Sequence, residues 1–268
     1  MENNYYNTIK ISVNAIIMTV LLSACEKTPS GTSQTDNRKN YLLESIACLD
    51  DSKIYSVTNF EYDDQCRLIR IVNGLDTSKE KTVTTLKYDG NLLTEVTKKY
   101  DDYQPEHIYF HYNDKGQISH IEYDMSYGSG ITWYGYHDRR IDSIYGNNPE
   151  IYFLLKYDKR GNVVKIIARR ASTNIAGIPT GEYFFDTMEY EYDNHPRPFL
   201  NLDGLPFLPI PGLGNFHESP ARMFSTNNMT YDDICHFEYT YDTNGLPLSV
   251  SSPYSGYIPY VYKYKKIR

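Results

Sequence analysis

One tryptophan, four cysteines and no surplus of positive charge are the shortages of this 268-residue sequence. The cysteines, Cys25, Cys48, Cys66 and Cys235, are too few for a disulfide scaffold, and their spacing matches no zinc motif. A net charge of −7 excludes the basic face that nucleic acid calls for, so no nucleic-acid partner is expected. There is no G-x-S-x-G, no H-E-x-x-H and no P-loop, so the common serine-nucleophile, zinc-protease and nucleotide signatures are missing. No apolar run reaches the ~18–20 residues of a membrane-crossing helix. What the chain has in quantity is tyrosine, 28 of them.

The longest apolar run, residues 11–22 (ISVNAIIMTVLL), follows Lys10 and suits the core of a signal peptide. It ends in Leu22-Ser23-Ala24-Cys25, which resembles a bacterial lipobox. The resemblance implies a lipoprotein signal peptide over 1–24, cleavage before Cys25 and a lipid anchor on the Cys25 thiol. Each acyl CH₂ buried in a bilayer adds about 0.8 kcal/mol, so two or more chains hold a protein stably. Residue 26 is Glu, not Asp. By similarity to proteobacterial sorting rules, that implies an outer-membrane lipoprotein facing the periplasm or the cell surface. Residues 25–40 are polar and lack aromatics, and read as a flexible tether to a single β-repeat domain over 41–268.

That domain repeats itself. Phe60-x-Tyr62-Asp63, Leu86-x-Tyr88-Asp89, Phe110-x-Tyr112-Asn113, Tyr134-x-Tyr136-His137, Leu155-x-Tyr157-Asp158, Tyr190-x-Tyr192-Asp193 and Tyr239-x-Tyr241-Asp242 recur along the chain. In most copies a second apolar pair follows, such as Ile118 and Ile121. Two residues two apart share one face of a strand. Asp or Asn after the Tyr suits the first position of a type I turn. Gly three residues later, as at Gly116, Gly161 and Gly245, suits the positive-φ position of a G1 bulge. Asp89-Gly90-Asn91 suits a two-residue primed turn. Each copy is therefore a predicted β-hairpin, and Asp-rich turns are read as structural and not as calcium loops, which need more converging oxygens. Cys66 stands in the Gly slot of the first copy, and a turn of another kind is expected there. The apolar residues after each turn are three apart and so of opposite parity. Either a bulge resets the register or the sheet is apolar on both faces. The abundance of Tyr favours one wet face, with rings covering the sheet and hydroxyls in water.

"YDKRGNVVKI", "YNDKGQISHI" and "YDTNGLPLSV" resemble the YD repeats of Rhs proteins. Behind a lipobox, they resemble a group of Bacteroidetes lipoproteins of unknown function with degenerate YD-like hairpins. The resemblance spans roughly 54–265 and implies an all-β fold: an antiparallel meander of about seven β-hairpins, about twelve to fourteen strands, in one long twisted or curled sheet. A Pro-rich insertion over 194–231 is expected to pack on that sheet, since six prolines there preclude a central strand or long helix. Lys263, Lys265, Lys266 and Arg268 suggest a charge-guarded edge strand at the C-terminal end.

For function the residues say less. Trp133, Tyr134 and Tyr136 are the densest aromatic cluster and the candidate ligand-binding residues. His107 and His111 are about 13 Å apart on one strand, too far to share a metal. His111 and His120 flank one turn, and two imidazoles alone make a weak site, so neither a metal nor a cofactor is expected. Glu189 and Glu191 alternate as on an exposed face. Asp142-Ser143-Ile144 and Asp186-Thr187-Met188 resemble a Bacteroidetes O-glycosylation sequon. Cys48, Cys66 and Cys235 read as small buried hydrophobes first, with a Cys48–Cys66 bridge second. The leading function is a non-catalytic envelope lipoprotein, attached to the membrane by its lipid, that binds a glycan, peptide or partner protein. A structural part of an envelope assembly comes next, and a hydrolase with dispersed carboxylates last.

Overall fold

The computed structural model describes residues 40–50, 53–75, 81–100, 103–125, 128–147, 151–173, 179–198, 220–253 and 259–267. The signal segment 1–24, Cys25 and the tether up to residue 39 lie outside the described residues, as does 199–219 of the insertion. Seventeen strands are described, more than the sequence led us to expect. They are β1 (Tyr41–Asp50), β2 (Lys53–Tyr62), β3 (Leu68–Leu75), β4 (Lys81–Asp89), β5 (Leu92–Lys99), β6 (Glu106–Tyr112), β7 (Ile118–Met125), β8 (Gly128–His137) and β9 (Arg140–Tyr145). Then follow β10 (Tyr152–Tyr157), β11 (Val163–Thr173), β12 (Pro179–Glu189), β13 (Glu191–Pro196), helix α1 (Pro220–Phe224), β14 (Asn227–Tyr231), β15 (Glu238–Tyr241), β16 (Pro247–Ser251) and β17 (Tyr260–Lys266). Fifteen strands form one antiparallel meander, in order from β12 down to β1 and then β17, β16, β15, and β13 pairs with β14 in a second sheet. The long sheet does not close on itself; its edges are β12 and β15.

A bulge resolves the parity problem. In each of six hairpins the return strand carries one extra residue directly after its first apolar residue: Ile69, Thr94, Ser119, Asp142, Val164 and Leu248. The extra residue flips the alternation once. Leu68 and Ile71, Leu93 and Val96, Ile118 and Ile121, Ile141 and Ile144, and Val163 and Ile166 therefore all point inward, none more than 2% exposed. Every such side chain taken from water contributes roughly 1.5–3 kcal/mol. One core runs under the whole meander, from Leu43 on β1 to Tyr262 on β17.

The turns follow from the same unit. Asp63, Asn113, Asp158 and Asp242 each accept two backbone N–H groups on one side-chain oxygen, from residues two and four further on. Desolvation works to raise the Asp158 carboxyl, but the donors of Asn162 and Arg160 outweigh it and hold the group below the usual carboxylate range. Gly116, Gly161 and Gly245 take positive φ as expected. Cys66 does too, at φ 61, with the same Cys66 N–H to Asp63 C=O bond as the glycine turns, so the expectation of a different turn is wrong. Two-residue turns join β4 to β5 and β8 to β9, with Gly90 and Asp138 both at φ 56. Asp138 thus supplies the conformation in the fourth copy, as Cys66 does in the first.

The repeat tyrosines keep their hydroxyls out of water. Tyr62, Tyr88, Tyr112, Tyr136, Tyr157, Tyr192 and Tyr264 donate to the backbone carbonyls of Leu43, Leu68, Leu93, Ile118, Ile141, Val163 and Pro247, at 2.7–3.0 Å. Each acceptor is the residue just before a bulge on the preceding return strand. A bulge disrupts the ladder locally, and the next unit's phenol supplies a donor there. Burial pushes the Tyr88 phenol up to about 12.

β17 is not an edge. It lies between β16 and β1, pairing Tyr264 with Leu43 and Tyr262 with Ile46. β1 also carries the bulge, at Glu44. Tyr262-x-Tyr264 and Leu43-x-x-Ile46 therefore make one further copy of the unit, split between the two ends of the described chain. The lysines expected to guard an edge work across strands: Lys263 pairs with Glu44 at 2.8 Å and Lys265 lies over the Tyr62 ring.

The copy at Tyr190 runs into β13, which pairs with β14 across the insertion, Tyr192 facing Met229 and Thr230 being the extra residue. Tyr190 N–H donates to Val164 C=O beside β11, and Phe237 N–H donates to Thr230 C=O between β14 and β15. β13, α1 and β14 so form a seam between the two ends of the long sheet, with Ala221 and Met229 in the core.

Candidate functional site

The outer face of β6, β7 and β8 gathers the polar aromatic residues. The Ser119 bulge decides this. Without the extra residue, His120 would sit opposite Phe110 and share its inward face. With it, His120 pairs with His111 and both point outward. The two imidazoles stack, centroids 4.3 Å apart and planes within 3°. Trp133 on β8 stacks on the other face of this pair, 4.3 Å from His120. Glu122, two residues past His120 on the same face, brings Oε1 to 3.6 Å from His111 Nε2 and 3.7 Å from His120 Nε2. His111, His120 and Glu122 are residues that could hold a metal ion, their ligand atoms all lying within 4.8 Å of one another.

Ser119 sets the tautomer of His120. Its hydroxyl donates to His111 C=O and lies 3.1 Å from His120 Nδ1. With its proton committed, the serine oxygen accepts from Nδ1–H, leaving a lone pair on His120 Nε2. Desolvation and then the neighbouring His111 lower the His120 pKa, against the pull of Glu122. His111 Nε2 is closed to solvent and has no hydrogen-bond partner.

The sequence-derived cluster divides between faces. Trp133 is 37% exposed on the outer face, whereas Tyr134 occupies the inner apolar slot at 6%. Tyr136 binds Ile118 C=O with its hydroxyl. Trp133 stacks on His120 and His120 on His111, while exposed Tyr109, two residues before His111 on β6, stacks on His107 at 6.0 Å. The sequence reading weighed the two imidazoles without Glu122; the His120-x-Glu122 alternation on one strand face was the available signal. His107 lies 3.1 Å from Glu95 Oε1. Glu189 pairs with Lys165. Ser143 is half-buried opposite Gly135, and Thr187 is exposed on β12. Cys48, Cys66 and Cys235 are free thiols, Cys48 being buried.

The seam holds the other polar cluster. Tyr241 donates to Asp193, Asn228 Nδ2 reaches the same carboxylate at 3.2 Å, and the His195 ring stacks on Tyr241 at 3.9 Å. Asn162 Oδ1 accepts from the N–H groups of Thr226 and Asn227. These bonds tie the β10–β11 turn to β14. Apart from the buried Asn228 Oδ1, which has no hydrogen-bond partner, these groups are paired within the protein, and the cluster works as a fastening.

No protein-family profile matches the chain. No curated protein matches it either. Among solved structures, a porin-like protein from Bacteroides uniformis ATCC 8492 is similar at TM-score 0.49 and 11% identity, over 84% of this chain and 97% of that one. A porin-like protein from Bacteroides vulgatus ATCC 8482 gives 0.37 and 12%, over 84% and 98%. In the structure of TcdB2-TccC3-Cdc42 the values are 0.33 and 18%, over 92% of this chain and 11% of that one.

Proposed function

We propose that the protein is a non-catalytic envelope lipoprotein, anchored through Cys25, that binds a glycan, peptide or protein partner on its outer sheet face around Trp133. The carrying observation is the stack of Trp133, His120 and His111 across three adjacent strands, open to water at Trp133, with exposed Tyr109 two residues before His111 on the same face. Aromatic side chains give contact area at small cost in conformational entropy. The test is a glycan array together with co-purification from the native envelope, for the full chain and for Trp133→Ala. A ligand retained by the first and lost by the second supports the reading, and binding indifferent to Trp133 overturns it. For the anchor, Cys25→Ala is expected to release the protein into the soluble fraction; continued detergent-phase partitioning would refute it.

A structural role in an envelope assembly is the second reading. Edge strand β12 exposes Phe184 and Phe185 on opposite faces, at 45% and 62%. A long apolar edge is a template for strand addition. Phe185→Lys is expected to shift a sedimentation profile toward monomer if that edge is paired in the assembly.

A further inference from the structure

We propose that His111, His120 and Glu122 bind one divalent first-row transition ion, with Zn²⁺ as its probe, on the outer face of the β6–β7 hairpin. This site stands apart from the partner-binding reading and survives its failure.

The donor set is two imidazoles and one carboxylate, which suits zinc, copper, nickel or iron and not calcium or magnesium. A tetrahedral zinc with ligand bonds of about 2.0–2.1 Å sets its donor atoms about 3.3 Å apart. The two nitrogen-to-oxygen separations here, 3.6 and 3.7 Å, are within a few tenths of that. Three protein ligands leave a fourth position for water.

Three further features fit an ion. Metal-ligating histidines usually donate their other ring N–H to a fixed acceptor, and Ser119 plays that part for His120. His111 Nε2, shut from solvent with no hydrogen-bond partner, faces Glu122. Both histidines and the glutamate come from one hairpin, so their spacing is set by the bulge register and not by distant packing.

One adjustment is required. A metal lies in the plane of each imidazole it binds, and parallel rings do not share such a point. His111 has to turn out of the stack. Its side chain is 42% exposed and free to do so, while His120 stays held between Ser119 and Trp133. Binding therefore changes the surroundings of the chain's one tryptophan.

The experiment is equilibrium dialysis of the full chain, in detergent and without a histidine tag, against Zn²⁺, with Trp133 emission followed in parallel. One ion per chain and a saturable emission change at the same concentration are expected. His111→Ala and Glu122→Gln should each weaken binding about tenfold or more. Ser119→Ala should weaken it by about tenfold through the freed tautomer, and His107→Ala should leave it as it is. Circular dichroism and melting temperature identify any variant that fails to fold; Glu122→Gln, isosteric and exposed, is the safeguard. Absence of stoichiometric binding, or equal affinity in folded Glu122→Gln and His111→Ala, overturns the proposal.

Discussion

The meander is joined in two places where the simple run of hairpins stops, and the two joints are built differently. Between β17 and β1 the chain has no connecting turn, yet the unit is complete: Φ-x-Tyr on one strand, a bulge at Glu44 on the other, and the phenols of Tyr264 and Tyr62 in their usual roles. At β13–β14 the insertion separates the two strands, yet the pairing is kept: Tyr192 faces Met229 and Thr230 is the extra residue. Only the next phenol departs, since Tyr241 donates to the Asp193 side chain and not to a backbone carbonyl. The unit is thus a property of a strand pair and its bulge, not of the turn that links them. At the seam a carboxylate takes the place of the bulge carbonyl as the phenol's acceptor.

The largest expected effects test whether the split unit is as well formed as a contiguous one. Ile46 on β1 and Ile121 on β7 occupy the same slot and are both buried. Ile46→Ala and Ile121→Ala should each cost about 2–5 kcal/mol in urea unfolding. A split-unit cost far below the other would break the equivalence.

The next pair separates carbonyl from carboxylate acceptors. Tyr112→Phe and Tyr264→Phe strip the donor from Leu93 and Pro247 carbonyls and should cost about 1–3 kcal/mol each. Tyr241→Phe should cost less than about 1 kcal/mol, because Asp193 keeps Asn228 and the His195 N–H as donors. Equal losses in chemical denaturation would show that the seam depends on its phenol as the repeats do.

Cys66 gives a smaller effect of opposite sign. It holds the left-handed conformation that costs an L-residue about 1–2 kcal/mol, offset in part by the greater unfolded-state freedom of glycine. Cys66→Gly should raise the melting temperature slightly, and Cys66→Val should lower it. Gly161→Val should lower it further than Gly161→Asn, since Thr226 and Arg140 crowd that position as well.

The smallest effect is at acid pH. Asp158 has its pKa lowered in the folded state, so its contribution is present above the unfolded value and lost as pH falls through the folded one, below about pH 4. Asn113 performs the same capping without a titrating group. Asp158→Asn should flatten part of the acid limb of a melting-temperature profile, and an unchanged limb would remove the turn carboxylate from the acid response.

The repeats, the Asx-capped turns and the positive-φ glycines were legible because each depends on residues within about five positions of one another. The inward pairs such as Ile118 and Ile121 were legible as a conflict, which a bulge or a doubly apolar sheet would each resolve, and the structure chose the bulge. The division of Trp133 from Tyr134 followed from strand alternation alone. The phenol acceptors were not legible, since each lies some 16 to 29 residues away on another hairpin. Cys66 was misread because turn propensity favours glycine, whereas the three ladders of β2 and β3 hold the loop in place.

By itself the sequence determined the unit: aromatic, tyrosine, turn acid and spaced apolar pair, all set by local sterics and the two-residue period of a strand. Only the tertiary structure decided which strands meet at the ends, that β17 covers β1, and that His111, His120 and Glu122 share one outer face. Those pairings join residues far apart in the chain, or hang on the one-residue shift of a bulge, and a local pattern carries no record of either.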